Sequence, residues 1–267
     1  MDAKSIALIY FSPTKTTQHV LEAIAHGLQA QVITHHDLTP PETATQDMAE
    51  FQNTLAIIGA PVYGGRIPLE AVRRLKRLRA SNTPAVVVVV YGNRAYDDAM
   101  LELRDLAIAA GFTPIAAGAF IGEHSFTTEA APIAPGRPDS TDLQCAQAFG
   151  HEIHLKLQTI KNLPERTPVE VPGNYPYKER QQRTTIVAPV THDGNCTLCG
   201  TCATVCPVHV ITVDTHVKTQ GSACILCCAC VKKCPSQARV MEHPRIKEIT
   251  QWLYTNYSKR QEPETYL

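Results

Sequence analysis

Several features are scarce in this sequence, and each shortage excludes something. No charge of either sign is in excess: 25 Lys and Arg stand against 25 Asp and Glu in 267 residues. An electrostatic nucleic-acid binder is normally basic, so that class is disfavoured, with room only for a local patch. Long hydrophobic runs are also missing. The most apolar stretch, "PAVVVVVYG", is far shorter than the roughly 20 residues of a membrane span. The opening "MDAKSIALIYFSP" has an acidic residue before its apolar run and no small-residue cleavage site after it, unlike a secretory signal. A soluble, cytoplasmic protein is expected. Cysteine is almost absent from the first two-thirds, where only Cys145 occurs. A disulfide scaffold would sit in a short secreted chain instead. Neither G-x-x-x-x-G-K-[ST] nor G-x-G-x-x-G is present, and no set of residues reads as acid, base or nucleophile for a defined substrate.

What is present first is an alternation of strands and helices. Residues 5–11, the "QVITHHDL" stretch, 54–60, 85–91 and 113–122 read as strands. Between them lie helical patterns, the first placing Val20, Leu21, Ile24, Ala25 and Leu28 on one face. Continuous apolar strands separated by helices predict a parallel sheet covered on both sides. The expected fold class is α/β, a doubly wound five-stranded parallel sheet over residues 1–160. The helix "LEAVRRLKRLR" buries Val72, Leu75 and Leu78, and its basic residues are expected to form a solvated face. Cys145, in the last amphipathic helix, reads as a buried small apolar residue. Residues 161–190, rich in Pro and charge, read as a linker lying along the surface. A cysteine module follows at 191–241 and a helical tail at 242–267.

Nine of the ten cysteines fall in that module. Cys196, Cys199, Cys202 and Cys206-Pro207 follow C-x2-C-x2-C-x3-C-P, and Cys224, Cys227, Cys230 and Cys234-Pro235 repeat it. This is the bacterial ferredoxin run, in which the fourth cysteine ligates the other cluster. Three thiolates at every third residue wrap three irons of a cube, and the fourth iron takes its ligand from elsewhere. The expected ligands are Cys196, Cys199, Cys202 and Cys234 for one [4Fe-4S] cluster, and Cys224, Cys227, Cys230 and Cys206 for the other. A pair of zinc sites is the competing reading, but zinc uses two separated pairs rather than three consecutive steps with C-P. Gly200, Thr201, Ala203 and Ala229 leave room for the inorganic core; Val205, Val210, Ile211, Ile225, Leu226 and Val231 would exclude water. Cys228 is out of phase, stands where the first repeat has Gly200, and is expected to be a bystander.

Three loops at carboxyl ends of strands, where doubly wound folds bind ligands, form a second candidate site. Ser12, Thr14, Lys15, Thr16 and Thr17 stand between a strand and a helix, the place for a phosphate. Ordinary N-capping is the plainer alternative. Pro61, Val62, Tyr63, Gly64 and Gly65 follow the third strand, with Tyr63 placed to stack on a ring. Asn93, Arg94, Tyr96 and Asp97 follow the fourth; surface packing would otherwise explain the tyrosines. Glu123-His124-Ser125 follows the fifth.

The loop Ser12-Pro13-Thr14-Lys15-Thr16-Thr17 is similar to the flavodoxin phosphate loop [ST]-x-T-G-x-T, with Lys15 in place of glycine. Residues 1–160 resemble flavodoxin, the cysteine module resembles a two-cluster ferredoxin, and nearly the whole chain resembles the flavodoxin–ferredoxin fusion proteins of anaerobes. That resemblance implies FMN and two [4Fe-4S] clusters. It implies an electron-transfer flavoprotein that works with a redox partner protein or small-molecule electron acceptor. No nucleic acid and no membrane span are expected; a homodimer is left open. The alternative is a ferredoxin-linked flavin reductase of a quinone or other small unsaturated substrate, working at Tyr63, Tyr96 and His124. A covered ring would favour the carrier and an open pocket the reductase.

Overall fold

A computed structural model describes residues 5–46, 50–160, 167–181 and 185–267. The first strand, β1 (Ser5–Tyr10), is buried along nearly its whole length. After it come α1 (Thr16–Gly27), β2 (Val32–Asp37), β3 (Leu55–Pro61), α2 (Leu69–Leu75), β4 (Thr83–Tyr91), α3 (Ala99–Ala109), β5 (Phe112–Ile121) and α4 (Ser140–Thr159). The β-branched runs of β3 and β4 have no polar face because helices cover both sides of the sheet. Val20, Leu21, Ile24, Ala25 and Leu28 are all buried, as the periodicity of α1 predicts.

The five parallel strands stand in the order β5-β4-β3-β1-β2. The order reverses between β1 and β3, so the carboxyl ends of these two strands flank the crevice where such folds seat a ligand. Two apolar layers fill the space on either side of the sheet. On one, α1 and α4 cross at Gly27 and Gly150. A Cβ on Gly27 would lie 1.9 Å from the Gln147 carbonyl oxygen, so only glycine allows that approach.

Three features differ from the sequence reading. The C-terminal segment is more than a helical tail. After β6 (Val190–Thr191), α5 (Thr201–Thr204), β7 (Ile211–Val213), β8 (Val217–Thr219), α6 (Ala229–Lys232), β9 (Arg239–Val240) and α7 (Pro244–Tyr257), the chain returns to the first domain. There β10 (Glu264–Tyr266) adds antiparallel to β5 as a sixth strand. Three residues after a polar helix carry too little periodicity to announce a strand; the open edge of β5 recruits them.

Cys145 is exposed, because α4 buries Asp142, Ala146, Phe149, Gly150, Ile153 and Leu157, a face that passes residue 145 by. The basic helix α2 is not wholly solvated either. Arg74 is 2% exposed. It pairs with Glu70 at 2.8 Å and donates to the carbonyls of Leu38, Thr39 and Pro40. It also donates to the Pro207 carbonyl at 2.6 Å, tying the first domain to the cysteine module.

The expected linker falls partly on residues 161–166 and 182–184, outside the described residues. Its described part, 167–181, runs over the surface without helix or strand. Carboxylates of α3 and the residue before it hold it down. Asp98 accepts from the backbone N–H of Asn174 and Lys178, Glu102 from Arg180, and Asp105 from the Tyr177 hydroxyl. Among the described residues no helix is long and apolar enough to cross a membrane.

Candidate functional site

The two cysteine repeats fold the same way. Leu198 and Leu226 are left-handed, with φ of 54° and 59°; so are Gly200 and Cys228 at 78° and 56°, and His209 and Gln237 at 51° and 54°. Each left-handed pair sits at the same step of its motif. Each repeat opens on a short 3-10 turn, and its third cysteine lies in a one-turn helix, α5 or α6. The first cysteine of each repeat donates its N–H three residues back, to Asp193 and to Gly221. After the C-P step, His209 and Gln237 donate to the carbonyls of Cys206 and Cys234, both at 3.2 Å. The internal repeat read in the sequence is a repeat of backbone geometry.

One small cavity brings Cys206 together with Cys224, Cys227 and Cys230, lined also by Thr219 and by apolar residues such as Val210, Ile211 and Ile225. Cys228 also borders it. Cys206 comes from the first repeat and the other three from the second. All four thiols are buried. Burial pushes the Cys227 thiol up to about 12 and raises that of Cys230. The other quartet is open to solvent: Cys199 is exposed, Cys196 and Cys234 are half-buried, and only Cys202 is buried. The Cys199 thiol is lowered by its hydrogen bond with the Thr201 hydroxyl, 3.3 Å away. Among the described residues no three His, Cys, Asp or Glu side chains converge as ligands of a single ion. A four-iron cube presents its thiolates at separate corners, farther apart than the ligands of one ion, so this does not bear against the quartets.

The buried quartet faces the loops of the sheet. Ile225 packs into the core layer that also holds Val62 and Tyr96. The Tyr63 hydroxyl is raised well above the ordinary range by burial, then by the neighbouring Cys227, Cys228 and Cys224. Lys232, from the second repeat, forms an ion pair with Glu123 of the loop after β5. Tyr63 therefore stands where the second loop of the sheet meets the buried quartet.

The loops themselves are locked to one another. Tyr63 and Arg66 close a tight turn over Gly64 and Gly65, whose φ values are 62° and 85°. A Cβ on Gly65 would lie 2.1 Å from the Asp97 carboxylate, and one on Gly92 would lie 2.3 Å from the His124 ring. Asp97 is taken by Arg94 at 2.5 Å and Lys178 at 2.9 Å. Asn93 turns away from the loops: its side chain donates to the carbonyls of Tyr257 and Lys259. Tyr96 donates to Glu264 at 2.8 Å. The C-terminal segment thus straps the third loop, an arrangement no local pattern in residues 91–98 could announce. His124 accepts from the Phe126 N–H at Nδ1, and burial with Lys232 and Arg94 nearby lowers its pKa to about 4.

The first loop fits a phosphate. Ser12 Oγ accepts from the Gln18 N–H at 3.1 Å, and Ser12 donates its own N–H to Thr39. Lys15 is left-handed, with φ 67°, and exposed. It takes the backbone shape for which a glycine would otherwise be used, at a cost of about 1–2 kcal/mol. The first N–H groups of α1 have no partner within the helix, and the helix end favours an anion. Thr17 Oγ1 is buried with no hydrogen-bond partner. A buried hydroxyl left unpaired is costly, and an anion seated at the loop would satisfy it.

The family model described as a 4Fe-4S binding domain matches residues 189–212, the first cysteine repeat. No curated protein matches. Among solved structures, a flavodoxin from the domain Archaea is 15% identical, with a TM-score of 0.37, over 58% of this chain and 99% of its own. Oxidised Flavodoxin 2 from Bacillus cereus is 14% identical, with a TM-score of 0.40, over 58% and 99%. A flavodoxin, WrbA-like protein from Agrobacterium tumefaciens is 16% identical, with a TM-score of 0.39, over 59% and 99%. The strand order β2-β1-β3-β4-β5 is that of the flavodoxin-like doubly wound class, and a stretch that matches a 4Fe-4S binding domain follows it in the chain.

Proposed function

We propose that the protein is an electron-transfer iron–sulfur flavoprotein that moves electrons between FMN and two [4Fe-4S] clusters, and on to a redox partner. FMN supplies one- and two-electron chemistry, and each cluster carries one electron. Ser12, Thr14, Thr16, Thr17 and the start of α1 would hold the phosphate, with Lys15 adding charge at the mouth. Residues 61–65 would line the ring together with the backbone of 92–97, whose Asn93 and Tyr96 side chains are engaged by the C-terminal segment. Cys206, Cys224, Cys227 and Cys230 would hold a proximal cluster; Cys196, Cys199, Cys202 and Cys234 would hold a distal one.

The observation that carries this reading is the seat of the second repeat on the loops of the sheet: Ile225 joins the core layer on which Val62 and Tyr96 pack, and Lys232 pairs with Glu123. The second loop of the sheet and the second repeat thus share one apolar layer. The third loop is also covered: Asn93 and Tyr96 are engaged by the C-terminal segment. Covered loops favour an electron carrier over a reductase that admits a separate substrate. The exposed quartet faces outward, which suits exchange with a redox protein or a small acceptor.

Anaerobic purification followed by iron, sulfide and flavin determination tests the proposal. The expected result is roughly eight irons per chain, following two cubane clusters, and one FMN. Zinc in place of iron, or failure to retain flavin after reconstitution with FMN, would overturn it.

A further inference from the structure

The two cysteine repeats differ at one buried position. Five residues after Cys206 stands Ile211; five residues after Cys234 stands Arg239. Both are buried, Ile211 at 7% exposed and Arg239 at 3%. Repeat symmetry leads one to expect an aliphatic side chain in both places. The second repeat buries a guanidinium instead.

The surroundings of Arg239 do not neutralise it. In β9 it is paired with Thr191 of β6, and its Nη1 donates to the Thr191 hydroxyl at 2.7 Å. Nη2 donates to the Thr219 hydroxyl at 3.1 Å, and also to Cys230 Sγ at 3.8 Å. Nε is buried with no partner. Among the described residues no carboxylate forms an ion pair with it. Arginine keeps its proton under all ordinary conditions, and a buried charge without a counter-charge is strongly unfavourable. With a cluster bound, the available anions are the cysteine thiolates. Cys230 belongs to the buried quartet. Cys202, of the exposed quartet, is also within electrostatic reach of the same guanidinium.

We propose that Arg239 is a fixed cation set between the two cluster sites, which raises the reduction potential of the cluster held by Cys230. A cluster with four thiolate ligands is anionic, and taking up one electron without a proton adds one negative charge. A positive group hydrogen-bonded to a ligand sulfur favours the more negative state, and hydrogen bonds to sulfur are among the levers on cluster potential. The threonine hydroxyls hold the guanidinium in place without cancelling its charge. The direct contact is with Cys230 alone, so the effect falls mainly on the proximal cluster. There it offsets part of the fall in potential that burial imposes on an anionic cluster.

This inference rests on the two-cluster reading, and the experiment separates the two. Wild type, Arg239→Gln and Arg239→Lys are purified anaerobically as full chains, counted for iron and sulfide, and titrated with dithionite under EPR. Fewer than two clusters in the wild type would overturn the parent reading. With both clusters present, Arg239→Gln keeps hydrogen-bond donors but loses the charge. One [4Fe-4S] signal is expected to fall in potential so that its reduced-to-oxidised ratio at fixed potential drops about tenfold, or about 59 mV for one electron. Arg239→Lys, which keeps the charge, is expected to move it much less. Unchanged potentials in Arg239→Gln, or equal shifts in both variants, would overturn the role of the charge. Arg239→Met, similar in length and as apolar as Ile211, replaces the glutamine variant if that one does not assemble. Its expected and overturning outcomes are the same.

Discussion

The two cysteine quartets share one motif and one backbone geometry, yet they sit in opposite environments. Cys206, Cys224, Cys227 and Cys230 are buried against the loops of the sheet; Cys199 is exposed, with Cys196 and Cys234 half-buried. Identical ligand spacing therefore does not mean an equivalent site. What separates the quartets is what the rest of the chain places beside them: Tyr63, Ile225 and the Lys232–Glu123 pair on one side, solvent on the other. For iron–sulfur clusters with the same ligands, burial, neighbouring charge and hydrogen bonds set the potential.

The sharpest way to break this contrast is to remove one quartet at a time. Cys206→Ala is expected to lower iron from about eight to about four per chain. Because Cys206 lies in the first repeat but lines the cavity of the second, the cluster lost should be the proximal one. Electron transfer from reduced flavin to an external acceptor should then fall to background. Cys199→Ala should also lose about four irons but leave rapid flavin-to-cluster transfer intact. Stopped-flow absorbance with iron analysis distinguishes them. Equal kinetic damage from both variants would erase the proposed order of the two sites.

Acid should affect the two sides differently. His124, beside Lys232, has its pKa lowered from 6.5 to about 4 by burial and then by the nearby Lys232 and Arg94. The unfolded chain binds a proton at this histidine near pH 6.5, whereas the folded chain resists it until about pH 4. Stability therefore falls as pH drops through that window, by up to about 3 kcal/mol from this group. His124→Gln should flatten that part of the curve in urea unfolding followed by tryptophan fluorescence. An unchanged acid slope would mean that His124 is not held neutral in the folded protein.

A smaller effect is expected at the first loop. Thr17→Val keeps the shape of the side chain and removes its unpaired hydroxyl. FMN affinity should weaken roughly tenfold, about 1.4 kcal/mol, while iron content stays at the wild-type level. Quenching of flavin fluorescence measures the first and colorimetric iron the second. Loss of iron together with flavin would mean that the loop supports the module and not a phosphate.

How much of this was legible in the sequence depended on how local the signal was. β4 is a run of valines and α1 has a clean apolar face, and both appear where the pattern places them. The cysteine spacing is equally local, and so is its repetition. The burial of Arg74 has no such signal, because periodicity marks the apolar face of α2 and says nothing of a long side chain that reaches the Pro207 carbonyl in another module. Asn93 and Tyr96 lie in the expected loop, but the residues that engage their polar groups follow more than 160 positions later. β10 depends on an open sheet edge, which exists only after the fold forms. Arg239 did leave a trace in the sequence, since alignment of the two repeats sets it opposite Ile211.

The smallest expected effect concerns Cys228, the one clear chemical difference between the two left-handed turns. Gly200 takes φ 78° with nothing near the place a Cβ would occupy, whereas Cys228 takes φ 56° and is 2% exposed. A side chain in that conformation costs about 1–2 kcal/mol relative to glycine. Burying the thiol group returns a similar amount, on the order of 1 kcal/mol for an atom the size of a methylene or larger. Burial also raises the thiol far above its ordinary pKa, so Cys228 stays protonated in the protein alone. Cys228→Gly should therefore leave stability within about 1 kcal/mol of the wild type and keep about eight irons. Chemical denaturation and iron analysis of the anaerobic protein check both. Loss of about four irons would instead make Cys228 a ligand, shift the register of the second repeat, and end the equivalence of the two motifs.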